Sequence, residues 1–150
     1  VTSELHSATP TELPLSAAYP ILKLRVDVFV VEQACAYPEL DGRDLEPGAL
    51  WVWAQDGTAV TATLRLLRDT DGRARIGRVA TAPGARSRGV AGALMRHALE
   101  LIGPDVTTTL DAQSHLSGWY ARFGFVPSGP EFIEDGIAHL PMDRPPESAA

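Results

Sequence analysis

The chain has few of the residues that would tie it together covalently or hold it in a membrane. Cys35 is its only cysteine, which excludes an internal disulfide. No apolar run approaches the roughly 20 residues that a bilayer-spanning helix needs. The opening stretch VTSELHSATPTELP has neither the charged nor the apolar region of a signal peptide. A soluble cytoplasmic protein with no membrane partner is therefore expected. The four histidines, His6, His97, His115 and His139, show no zinc-ligand spacing, so no metal is expected. Positive charge is in deficit: the formal net charge is −6, which argues against nucleic acid as a partner.

What is present fits one domain spanning residues 1–150. At 45% hydrophobic content, a chain of this length buries roughly 70% of the surface that its unfolded form exposes. Residues 1–4 and 145–150 are expected to fray. The charge is unevenly spread. Residues 65–96 hold eight arginines against Asp69 and Asp71, whereas residues 27–46 hold Asp27, Glu32, Glu39, Asp41, Asp44 and Glu46 against Arg43 alone. Unless both stretches are ordinary solvated surface, one region should attract an anion and the other a cation.

Three Asp-Gly pairs, Asp56-Gly57, Asp71-Gly72 and Asp135-Gly136, each separate two strand-like runs, and Asp-Gly is a strong hairpin signal. They predict meanders joining 50–54 to 60–66 and then to 75–81, and a last hairpin of Phe132-Ile133-Glu134 with Ile137-Ala138-His139-Leu140. Trp51 and Trp53 alternate with Val52 and read as core. Between the meanders the period changes. Val90, Leu94, Ala98, Leu101 and Ile102 recur at helical spacing before the stop Gly103-Pro104, and the β-branched run 106–110 follows. Strand, helix and strand make a βαβ unit with parallel strands. Upstream, Ile21, Leu24, Arg25, Val28 and Val31 fit one face of an early helix that Pro20 would help to start. A short helix is expected over 119–123, stopped by Gly124. The fold class is mixed α/β, with a mostly antiparallel sheet and helices on both faces.

The turn inside the βαβ unit carries the chemistry. Arg86-Ser87-Arg88-Gly89-Val90-Ala91-Gly92 joins a strand to a helix. Its small residues let the backbone close on a phosphate, and the free N–H groups of the first helical turn face the anion. No Gly-Lys-Ser/Thr follows and no G-x-G-x-x-G is present, so Walker-type and dinucleotide sites are disfavoured. Taken alone, the turn is as consistent with an ordinary surface connection.

Two elements together resemble the GCN5-related N-acetyltransferase (GNAT) superfamily: Val79-Ala80-Thr81 with Pro83 before Arg86, Gly89 and Ala91, and the aromatic-glycine run Trp119-Tyr120-Ala121-Arg122-Phe123-Gly124-Phe125. The resemblance extends from the early helix to the last strand. Its ElaA-like branch is indicated by 24–33 with Asp41-Gly42-Arg43-Asp44, by Ala112, Gln113 and His115, and by 134–139. The string Phe29-Val30-Val31-Glu32-Gln33 is also similar to acyl-homoserine-lactone synthases, which share the fold.

The resemblance implies acetyl-CoA as co-substrate, with its pyrophosphate on the amides of Ser87, Arg88, Gly89, Val90, Ala91 and Gly92 and with Arg86 and Arg88 at the entrance. Main-chain groups of Val79, Ala80 and Thr81 would hold the pantetheine arm, and Gln113 would contact CoA or cap its strand. Tyr120 would protonate the leaving thiolate. Glu32 and His115 are the leading base candidates, with Glu134 and His139 behind them. Arg25 is read as forming a buried pair with Asp41 or Asp44 rather than holding a substrate carboxylate, and Cys35 as an inert thiol. The implied reaction is direct acetyl transfer to a small amine or exposed amino group, and the acidic stretch 27–46 would favour a cationic acceptor. The alternatives are a non-catalytic acyl-CoA sensor and a lactone synthase. The oligomeric state is left open, a homodimer among the options.

Overall fold

The computed structural model describes residues 3–147. Among these residues eight strands form one sheet: β1 (Glu4–Ala8), β2 (Leu50–Asp56), β3 (Ala59–Arg68), β4 (Ala74–Thr81), β5 (Thr108–Gln113), β6 (Val126–Pro127), β7 (Phe132–Glu134) and β8 (Ile137–Arg144). The order is β1-β2-β3-β4-β5-β8-β6, with β7 also on β8, and only β4 with β5 runs parallel. Helices α1 (Leu15–Val26), α2 (Val90–Ile102) and α3 (Ser117–Ala121) complete the fold. This is the mixed, mostly antiparallel sheet expected.

All three Asp-Gly hairpins form. In the last, Asp135 and Gly136 both take positive φ, 52° and 77°, the backbone twist that a two-residue hairpin requires. Strand alternation then sorts the core. Val52, Ala54, Leu64, Leu66, Ala74 and Ile76 face α2, whose Val90, Leu94, Met95, Ala98 and Ile102 cover them. Trp51 and Trp53 face the other side and pack with Ile21 of α1, while Leu24 and Val28 meet Ala80. Leu94 has no exposed surface, and burying such a side chain contributes about 2 kcal/mol.

Several expectations are corrected. Helix α1 starts at Leu15, after Pro14 as its extended N-cap, so Pro20 lies inside the helix and costs it one N–H. From Asp27 to Glu32 the chain continues as a π-helical turn. The wider turn carries Val31 off the buried face, and Val31 is exposed. Leu101 of α2 is also exposed. Strands β1 and β6 went unpredicted because they are short and carry little apolar alternation. Residues 1–2 and 148–150 lie outside the described residues. Of the remaining ends expected to fray, Glu4 pairs with Gln55, and the Glu147 N–H donates to the Pro104 carbonyl at 2.8 Å.

The β4–β5 junction positions the site. These two strands pair only at Ala74 with Thr108 and Arg75 with Thr109, then diverge. From Ile76 to Thr81 the edge of β4 that faces β5 has no strand partner among the described residues. On its other edge β4 carries a bulge: Thr63 pairs with Ala80 and Arg65 with Gly77, so Leu64 alone stands opposite Arg78 and Val79.

Candidate functional site

The diverging β4 leads through Pro83–Ala85 into the loop before α2. Ser87 and Gly89 both take positive φ, 65° and 76°, which turns successive amides toward one side. Gly89 caps α2 without a side-chain bond, and the first helical hydrogen bond is Ala93 N–H to the Gly89 carbonyl. The N–H groups from Ser87 to Gly92 therefore find no acceptor among the described residues. Six unsatisfied donors at a helix start are an arrangement suited to an anion.

A cavity of about 350 Å³ opens beside these amides. Its floor includes Thr81, Ser87, Gly89, Ala91 and Gly92, and its far wall is Trp119, Arg122 and Phe123. Arg96 also lines it, with its guanidinium 5.8 Å from the centre of the Phe123 ring. Sequence reasoning missed Arg96 and Arg122. The four-residue spacing of Gly92 and Arg96 was the available signal, because the missing side chain at Gly92 leaves room for the arginine one turn on.

Arg86 is placed differently from the expectation. Its guanidinium donates to both carboxylate oxygens of Glu32 at 2.7 Å and to the Thr81 carbonyl at 3.2 Å. It lines the cavity while its polar edges are spent on protein. Arg88 is exposed and has no ion partner among the described residues. The hydrogen bond from Arg86 holds the Glu32 carboxyl below its usual range. A carboxylate fully engaged in this way is a poor proton acceptor, so the structure does not support Glu32 as a base.

Gln33 makes the matching contact on the other strand. Its amide and that of Gln113 exchange hydrogen bonds at 3.3 and 3.4 Å. The end of the π turn is thus linked to the end of β4 by way of Arg86, which Glu32 holds, and to the end of β5 through Gln33, spanning the mouth of the divergence. Gln113 is engaged in this bridge.

Tyr120 enters from the α2 side, where its ring is buried and meets Phe125 edge-on. Burial alone raises its pKa to about 12, with no hydrogen-bond partner contributing. The hydroxyl therefore stays protonated and free to donate. Of the base candidates, His115 and Glu134 are exposed and make no side-chain hydrogen bond among the described residues. His139 lies directly across from Gln113. It stacks on Phe132, and its Nδ1 sits 2.8 Å from the Ile137 carbonyl. A ring nitrogen facing a carbonyl carries the proton, which leaves Nε2 with its lone pair. Cys35 has its Sγ 3.5 Å from the Asp135 carbonyl.

The acidic stretch is not a cation-seeking surface. Arg25, buried, donates to Glu39 and Asp44, both at 2.6 Å. Arg65 reaches Asp41 at 2.8 Å, and Arg78 reaches Glu39 at 3.0 Å and Asp41 at 3.3 Å. Arg43 pairs with Glu46 and Asp69. The expected Arg25–Asp44 pair is present, while Asp41 goes to Arg65 and Arg78. Arg65, Arg78 and Arg86 of the basic stretch pair with the acidic one.

Comparison with known proteins places this geometry. A family model described as an acetyltransferase (GNAT) domain matches residues 23–144. The UPF0039 protein Rv2851c of Mycobacterium tuberculosis is 47% identical over 150 residues, covering 97% of this chain and 95% of that one. Protein ElaA of Escherichia coli is 37% identical over 146 residues, covering 94% of each. A crystal structure of an acyl-CoA N-acyltransferase from Pseudomonas aeruginosa superposes with a TM-score of 0.90 at 36% identity, over 95% of this chain and 99% of that one. No helix among the described residues is long and apolar enough to cross a membrane.

Proposed function

The chain belongs to the GNAT acetyltransferase family, and from that premise we propose that it transfers the acetyl group of acetyl-CoA to a primary amine by direct attack in a ternary complex. One observation carries the reading. The unpartnered edge of β4 leads, through the turn Pro83–Ala85, to the six free amides of 87–92, a path with the polarity of CoA. The amides take the pyrophosphate, assisted by the charge of Arg96 and Arg122. The edge from Ile76 to Thr81 offers carbonyl and N–H groups to the amide-bearing pantetheine arm, as an added strand would. An N–H on that edge, held in place before reaction, is suited to the oxyanion that forms at the thioester carbon.

The ammonium gives up one proton before attack; the amine lone pair then forms the C–N bond as the C–S bond breaks, and the second proton, lost from nitrogen after attack, ends on the leaving sulfur through solvent. Tyr120 points its hydroxyl hydrogen at the sulfur. A thiol ordinarily titrates at about 8.5, and Tyr120 at about 12, so the tyrosine acts chiefly as a hydrogen-bond donor to the developing thiolate. His139 Nε2, on the acceptor side beside the Gln33–Gln113 bridge, takes the proton from the incoming ammonium. The protein as proposed works in the cytoplasm and needs no metal.

Calorimetric titration with acetyl-CoA, beside CoA and a long-chain acyl-CoA, tests the reading first. Saturable binding followed by amine-dependent thiol release supports it. Binding without thiol release across an amine panel would favour a sensor, and no binding to any of the three would overturn it.

A further inference from the structure

Among the non-glycine residues of β4, Arg78 alone takes a left-handed backbone conformation, with φ of 55°. L-residues seldom adopt that region in a strand, and they hold it only where the surroundings enforce it. The consequence is visible in the packing. Before the bulge, Ala74 and Ile76 face α2. After it the parity is reversed, with Val79 against the α2 core and Ala80 against Leu24 and Val28. A bulge that flips side chains also exchanges which backbone N–H and carbonyl groups face the β5 side. The groups offered to the cleft from Val79 to Thr81 are therefore set by the conformation of one residue.

What enforces that conformation comes from the irregular segment 37–44. The Arg78 Nε donates to Glu39 at 3.0 Å, and its Nη2 to the Glu39 carbonyl at 3.0 Å and to Asp41 at 3.3 Å. The Tyr37 ring lies 5.4 Å from the guanidinium carbon, and the Tyr37 hydroxyl donates to the same Glu39. Glu39 is itself buried and clamped from behind by Arg25. This anchor has no contact with the phosphate loop.

Resting on the acyl-CoA reading above, we infer that Arg78 is a positioning residue: its side chain, gripped by Glu39, Asp41 and Tyr37, holds the β4 bulge in the one register that presents Val79–Thr81 to the pantetheine and thioester. Arg78 touches neither substrate in this assignment, since its side chain is spent on the 37–44 segment. That segment thereby governs cofactor geometry from the opposite face of the strand.

The test uses two ligands that divide the cofactor. Acetyl-CoA engages both β4 and the loop, whereas adenosine 3′,5′-bisphosphate carries the charged end without pantetheine. In Arg78→Ala the unfavourable φ remains and its anchor is gone, so the bulge relaxes. Acetyl-CoA affinity should fall about tenfold, the equivalent of one or two misplaced backbone hydrogen bonds. Affinity for the bisphosphate should stay within about twofold of the original. Glu39→Gln should show the same split and serves if Arg78→Ala does not fold. Arg78→Gly, which takes positive φ without cost, should recover part of the lost acetyl-CoA affinity. Equal weakening of both ligands, an unchanged acetyl-CoA affinity in Arg78→Ala, or a glycine variant no better than the alanine would each overturn the assignment. Failure of the unsubstituted protein to bind acetyl-CoA would instead overturn the acyltransferase reading on which it rests.

Discussion

Removing the Tyr120 hydroxyl while keeping its ring separates catalysis from binding and from packing in one variant. Tyr120 is 7% exposed, and burial sets its pKa at about 12. Full proton transfer from such a group to a thiolate at about 8.5 is uphill by about 5 kcal/mol. Its contribution is then a charge-assisted hydrogen bond to sulfur, about 1.5–3 kcal/mol. Tyr120→Phe should accordingly lower kcat by about 10- to 150-fold. The ring contacts with Trp119 and Phe125 persist in phenylalanine, and the lost hydroxyl has no protein partner to strand. Melting temperature should hold or rise slightly, and CoA affinity measured by calorimetry should not change. The assay is colorimetric thiol release at saturating acetyl-CoA and amine. A kcat within about twofold of the parent, or a parallel loss of CoA affinity, would refute the role given to this hydroxyl.

Arg25→Met leaves Glu39 and Asp44 buried without their shared guanidinium. Such a break costs about 3–5 kcal/mol, here toward the lower end because Arg78 and Arg65 remain beside them, and urea unfolding at neutral pH should show it. The Glu32–Arg86 pair should persist in mild acid. The lowered Glu32 pKa means that its stabilising charge is complete above the usual value of 4.5 and is lost only as pH falls through the lower folded value. A carboxyl-carbon NMR titration should place the Glu32 midpoint below 4.5 and return it toward 4.5 in Arg86→Ala; a midpoint above that in the parent would count against the pairing. His139→Ala should depress kcat while leaving the acetyl-CoA KM in place, and an unchanged kcat would remove His139 as the proton acceptor.

Local chemistry was the legible part of this chain. Asp56-Gly57, Asp71-Gly72 and Asp135-Gly136 specify turns by their own backbone preferences, so the hairpins followed without knowledge of their surroundings. The glycine turn before α2 and the Trp51–Trp53 alternation were readable for the same reason. The charge distribution misled, because a count along the chain cannot see pairing across it. Arg65 and Arg78 looked like part of an anion-seeking surface, and Glu39, Asp41 and Asp44 like a cation-seeking one, yet they meet one another. Glu32 looked available as a base for the same reason. The π turn had no signature distinct from an ordinary helix, and it is what brings Glu32 to Arg86 in the loop after β4 and Gln33 to the end of β5. Arg78 gave no warning of its conformation, since positive φ in a strand is imposed by tertiary contacts.

The brief contact between β4 and β5, two residue pairs long, is the one strand pairing that joins the two half-sheets among the described residues, which otherwise share the core beneath them. In the proposed reading one half-sheet, β1 to β4, carries most of the cofactor path. The other, β5 to β8, carries the last hairpin and His139, which the same reading places at the acceptor end. The ligand lying in the seam becomes the missing strand that welds the halves, so amide hydrogen exchange along β4 should slow on both flanks when CoA binds.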